Sequence, residues 1–272
     1  MGLIILLNLI SCLLIYILAS KFISKKTAVI PTVIALLSMF CISTISLSIS
    51  IAINLIFLAA LAIFKYYDTM QIKQVIPLGI FVGILCIFRI DMGSFIYGMY
   101  FWAMFWAGLA GVKGRELTLL QRTKRGVLQG IFFTLLVVLT IVIFIVYEKI
   151  FFNDSVLLTK LYTEVQFFFS GKGIFQIPKF DVSPMFIVPF LLYIAALAIL
   201  IVKHKLKILL ANDAIFWKEM LIVNIGLNLY PQAIVSLEIE NLVPLILIAG
   251  MLLPNIIRFP FQVAKTQKKL RN

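Results

Sequence analysis

The feature that most constrains this chain is a succession of long, uninterrupted apolar runs. Nine segments are close to the length that a bilayer core of roughly 30 Å requires. They are 3–20, 27–43, 46–64, 75–88, 94–111, 127–147, 185–202, 220–237 and 242–257. Only the polar bend Ser43–Thr44–Ile45–Ser46 separates the second from the third. Hydrocarbon offers a backbone no hydrogen-bond partner, so each span closes its own bonds as a helix. A β-barrel would instead show strands of about ten residues with alternating polarity. The expected fold is all-α: a polytopic transmembrane helix bundle of about nine spans, one integral-membrane domain over 1–272. Composition agrees, because 63% of the 272 residues are hydrophobic and 13% are charged. Soluble domains use about 25% charged residues to cover their surface. A soluble enzyme, a disordered tail, a coiled coil and a soluble nucleic-acid binder are thereby excluded.

The net charge of +13 follows from topology rather than from a nucleic-acid partner. Nineteen of the 24 basic residues fall in alternate connections, among them Lys21, Lys25, Lys26, Lys65, Lys73, Arg122, Lys124, Arg125, Lys203, Lys205, Lys207, Lys218 and Arg258. The other side has Arg89, Lys149, Lys160, Lys172 and Lys179, with seven of the 11 acids. Basic loops stay in the cytoplasm, so the N-terminus is expected outside and the C-terminus inside. The basic tail 258–272 is then cytoplasmic. No basic region precedes the first apolar run, which argues for a span rather than a secretory signal. Leu9-Ile10-Ser11-Cys12 has the outline of a lipoprotein cleavage box, but the apolar stretch passes through it. Cys12, Cys41 and Cys86 lie in separate spans, which suggests neither a disulfide nor a metal cluster. His204, the only histidine, stands among lysines and reads as a solvated surface group.

Three connections are long. Segment 112–126 holds five basic residues around Leu117, Leu119 and Leu120, the pattern of a stretch lying on an anionic membrane surface. Segment 203–219 offers Asn212-Asp213 as a helix cap before Trp217, an interfacial anchor. The external segment 148–184 is the longest. Within 155–169, Val156, Leu157, Leu161, Val165, Phe168 and Phe169 recur at helical spacing, which predicts an amphipathic helix in the outer interface.

Ionisable and amide groups on a span are costly, and so they mark function. Two places hold them, both on the outer side. The first is Arg89-Ile90-Asp91-Met92-Gly93, a short turn where Arg89 and Asp91 are close enough to pair. Gly93 there permits close backbone approach or a positive φ. The second runs from Asn224 to Pro244. Asn224, Asn228, Gln232 and Ser236 are four apart and share one flank of the eighth span. Pro231 interrupts that span, Tyr230 precedes it, and Glu238, Glu240 and Asn241 stand at the rim. Interhelical hydrogen bonding accounts for the amides. It accounts less well for two carboxylates.

The Arg-x-Asp-x-Gly turn, an aromatic-rich span, a longer external loop and a late Gln232-Ala233 … Glu238 … Asn241-Leu242-x-Pro244 turn together resemble bacterial polytopic glycosyltransferases of the GT-C class. Those proteins are similar to dolichyl-phosphate-mannose and arabinosyl transferases. The resemblance covers roughly 75–257, with Glu in place of Asp, Asn in place of His, and Ser236 where the pattern has Arg. It implies a sugar transferred from a polyprenyl-phosphate donor to an acceptor on the outer face of the cell membrane. Asp91, Glu238 and Glu240 would then be the candidate acids. Arg89, Gln232, Asn228, Asn241 and Tyr230 would bind substrate. Such enzymes also have a large acidic first external loop, whereas the first external connection here is Ser43–Ser46. The chain thus corresponds to the C-terminal portion of such an enzyme, a diverged or inactive member, or one completed by a protein partner.

That chemistry needs a carboxylate base toward an acceptor hydroxyl, a cation for the leaving phosphate, and lateral access for a lipid. A membrane lipid and a polyprenyl-linked sugar are the expected partners, with no nucleic acid. No cofactor is called for, and the use of a divalent metal is left open. Neither GxGxxG nor GxxxxGK[ST] occurs. The rival reading is a non-enzymatic flippase of lipid-linked sugars, a polymer-assembly component or a small-solute permease.

Overall fold

The computed structural model describes residues 2–41, 45–112, 116–152, 156, 159, 162–163, 184–210, 213–236 and 239–271. Among them every regular element is helical: α1 (Gly2–Ala19), α2 (Lys25–Cys41), α3 (Leu47–Thr69), a 3₁₀ turn (Ile72–Gln74), α4 (Val75–Phe88), α5 (Ile90–Leu109), α6 (Leu119–Phe152), α7 (Pro184–Lys205), α8 (Ala214–Ser236) and α9 (Ile239–Arg271). Each apolar run lies largely on one of these helices. Five of them (α1, α3, α6, α7 and α9) are long and apolar enough to cross a membrane. Of the rest, α2 and α4 are short, with 17 and 14 residues. Lys218, Glu219 and the amides dilute α8, and Trp, Tyr, Gly and Ser dilute α5.

At the bundle's centre α3 packs against α1, α4, α5, α8 and α9. Its ends are set by specific groups. Ser46 caps the start, its hydroxyl accepting from Ile49 N at 3.4 Å. Met70 ends the helix in the left-handed region at φ 50°. That conformation is unfavourable for a residue with a Cβ. It is held by burial and by Arg125, whose guanidinium donates to the Met70 carbonyl at 2.5 Å. Around this core α1, α2 and α9 gather on one side and α4, α5 and α6 on the other. Close packing in the second group uses small residues, as expected where apolar burial gives no drive between helices. Gly79 faces Leu136, Gly83 faces Thr140, and Gly108 faces Gly126.

Hydrogen bonds sort the helix ends into two sets. One end holds the junctions Lys218–Asp68, Lys203–Glu219 and Arg258–Thr27, together with Tyr66 donating to Gln129. The opposite end holds Ser46 with Glu240, Asn8 with Ser50, and the α4–α5 turn. The basic connections belong to the first set.

Two basic segments are helical where they are described. Segment 112–126 enters α6 at Leu119, where Leu119 and Leu120 are exposed. A reciprocal capping box starts it: Thr118 N donates to Gln121 Oε1 at 3.0 Å, and Gln121 N to Thr118 Oγ1 at 3.4 Å. The basic tail 258–272 is likewise helical through Arg271. With 34 and 33 residues, α6 and α9 reach about 50 Å at 1.5 Å per residue, well past a hydrocarbon core. The predicted amphipathic helix over 155–169 falls almost wholly outside the described residues, as does Glu238.

Candidate functional site

Arg89 is the only residue between α4 and α5, with φ −142° and ψ 85°. Its N–H closes the last turn of α4 on Leu85 O at 2.8 Å, and its carbonyl opens α5 by accepting from Gly93 N at 2.7 Å. So tight a reversal brings the two helices into backbone contact. A Cβ at Gly93 would stand 2.6 Å from the Cys86 Cα, so this glycine provides close approach. Gly93 is not among the glycines with positive φ.

The turn aims both charged side chains the same way. Arg89 Nε donates to Asp91 Oδ1 at 3.1 Å, and Nη2 donates to Oδ2 at 2.8 Å, a bidentate pair. Side-chain exposures of 21% for Arg89 and 38% for Asp91 keep the pair within reach of a ligand. Asp91 stands in the first turn of α5, ahead of the apolar run 94–111. Partial burial alone would push its carboxyl up. The hydrogen bonds and charge of Arg89 outweigh that and hold it below the ordinary carboxylate value. Asp91 is therefore ionised at neutral pH and keeps the guanidinium oriented.

One turn further along α5, Ser94 Oγ donates to Asp91 O at 3.1 Å, and a lateral groove begins. Its volume is about 530 Å³. Ser94, Phe95, Gly98, Met99, Trp102 and Trp106 of α5 line one wall, and Trp217, Met220, Asn224 and Asn228 of α8 the other. The residues on each wall recur at three- and four-residue steps, so the groove follows one face of each helix. Ser94 to Trp106 spans about 18 Å. Trp102 and Trp106 stack at 6.4 Å between ring centroids and are half exposed at the mouth. The Asn228 Nδ2 donates to its own helix, at Asn224 O, 2.8 Å away. Among the described residues the Asn224 side-chain amide has no hydrogen-bond partner.

The other candidates stand elsewhere. Glu240, on the first turn of α9, accepts from Ser46 N at 3.0 Å and so caps α3 from across the bundle. Next to it, Asn241 is buried. Tyr230 stacks on Phe190 of α7 at 4.7 Å, so its ring faces away from α5. Gln232 continues α8, and its side chain lies outside the described residues. The structure therefore pairs Arg89 with Asp91 at the start of α5, puts Asn228 on the groove wall that faces α5, and has Glu240 accepting from Ser46 and Tyr230 stacked on Phe190. Sequence reading placed Asn224 on a polar flank and Trp217 at an interface. It did not see that α5 supplies the facing wall, although all three tryptophans of the chain lie there. Among the described residues no group of three or more His, Cys, Asp or Glu is placed to hold a metal. Comparison with family models, curated proteins and solved structures finds no match.

Proposed function

We propose that this chain is a glycosyltransferase-like protein of the cell membrane that takes a sugar from a polyprenyl-phosphate donor and passes it to an acceptor on the outer face. In this reading all nine helices span the bilayer, the end rich in lysine and arginine is cytoplasmic, and the Arg89 turn is external. The observation that carries it is the bidentate Arg89–Asp91 pair at the end opposite the basic residues, with Asp91 three residues before Ser94, where a lateral groove begins.

The pair supplies two of the required chemical parts. A guanidinium carries five donors in a planar fork, so a phosphate can share it with Asp91. As the phosphate draws on Arg89, Asp91 loses the charge that depresses its pKa, and its basicity rises. The carboxylate then suits the task of accepting a proton from an acceptor hydroxyl, while Arg89 stabilises the charge growing on the leaving phosphate. Glu238 is the second candidate acid. The groove gives a lipid-borne donor lateral access from the bilayer.

The test is a transfer assay on the full chain in vesicles, with radiolabelled polyprenyl-phosphate sugars and extraction of released or transferred sugar. Asp91→Asn is expected to lower the rate on the order of 10²–10⁴-fold, the usual contribution of a positioned base. Glu240→Gln retains a hydrogen-bond acceptor for Ser46 and is expected to leave the rate within a few-fold. Unchanged transfer in Asp91→Asn removes the proposed base. No transfer from any polyprenyl-phosphate sugar removes the activity.

A further inference from the structure

Away from the groove, α7, α8 and α9 pack on one another at the basic end and frame a cavity of about 10 Å³. Ala196 and Leu200 of α7, Val223 of α8 and Leu252 of α9 give it apolar walls. Two polar side chains interrupt them, Glu219 of α8 and Asn255 of α9. Glu219 is buried, and its partner is the buried Lys203 of α7. The Lys203 ammonium reaches both carboxylate oxygens, at 3.4 and 3.1 Å. A carboxylate has about four acceptor sites, so Lys203 leaves part of that capacity unused. A buried ion pair repays its lost hydration only when further hydrogen bonds fill what remains.

Across the cavity a donor lacks an acceptor. Asn255 stands within interaction range of Glu219, yet its Nδ2 is buried with no hydrogen-bond partner among the described residues. A spare acceptor and a spare donor thus line one small space. A group left in that state is costly unless something bridges the two.

We infer that a single water molecule is bound in this cavity as a fixed part of the fold. It accepts from Asn255 Nδ2 and donates to a Glu219 oxygen. Size selects it, because the space takes one molecule of that volume between polar partners. Charge selects it too. Lys203 repels a small cation from the site, and Glu219 repels an anion. The water ties α9 to the α7–α8 ion pair, so three helices meet at one hydrogen-bonded node. None of this depends on sugar transfer or on which end of the bundle faces outward.

Hydroxyl-radical footprinting of the full chain in phosphatidylcholine vesicles tests the site. X-ray pulses split bound water as well as bulk water, and side chains beside the source take up oxygen that mass spectrometry reads. Leu252 lines the cavity and is 2% exposed, whereas Leu247 on the same helix is 1% exposed and does not line it. Leu252 is expected to be oxidised several-fold more than Leu247 at equal dose. Asn255→Leu, which fills the space and removes the donor, is expected to abolish that excess. Equal labelling of the two leucines in the wild-type chain means a dry cavity and overturns the inference. So does an undiminished excess in a folded Asn255→Leu. A high-resolution density map of the unaltered chain decides without any variant. A peak within hydrogen-bond distance of Asn255 Nδ2 and a Glu219 oxygen supports the site, and a direct Asn255–Glu219 bond with no peak rejects it.

Discussion

Arg89 does three jobs with one backbone and one side chain: it ends α4, starts α5 and holds Asp91. All three depend on Gly93 letting the helices meet. Gly93→Ala puts a methyl group against the Cys86 backbone, and overpacking of this kind costs about 1–3 kcal/mol. Thermal unfolding should show that loss, and a neutral result would mean that the turn has slack. This part of the site was legible because Arg89, Asp91 and Gly93 lie within five residues, so chain geometry alone brings them together. Glu240 was not legible. Its partner Ser46 is 194 residues away, and nothing local distinguishes a capping carboxylate from a catalytic one.

Among the elements, α8 is tied at one end and open along its flank. Lys218 Nζ bonds Asp68 of α3 at 2.6 Å and lies over the Phe64 ring, while Glu219 takes Lys203 of α7 at 3.1 Å. Two adjacent residues thus fasten α8 to two helices, and the groove face is left to α5. The Lys203 and Glu219 side chains are only 5% and 7% exposed. Removing one partner of such a pair strands a buried charge and costs about 3–5 kcal/mol. Lys203→Ala is expected to lower stability by that much in equilibrium unfolding, while the double change Lys203→Met with Glu219→Leu restores most of it. An equal loss in single and double variants would show that the pair is not coupled. These links join residues up to 150 positions apart, and sequence patterning cannot find them. The start of α6 could have been read, because Thr118-x-x-Gln121 is a capping signal.

For the whole molecule, each apolar run anticipated a helix among the described residues, and five of these helices are long and apolar enough to cross a membrane. The runs carry little about which helices touch, since every helix in such a chain is apolar on most faces. The groove emerges only when α5 and α8 are placed side by side. The transferase reading requires the Arg89 end of the bundle to face outward. Labelling of single cysteines in intact cells with a membrane-impermeant maleimide tests this most directly, in a background with Cys12, Cys41 and Cys86 changed to Ala. Phe88 is exposed beside the Arg89 turn, and Gln71 is exposed at the opposite, basic end. Phe88→Cys is expected to label in intact cells, and Gln71→Cys only after permeabilisation. Labelling of Gln71→Cys from outside, with Phe88→Cys protected until the membrane is opened, would contradict the account.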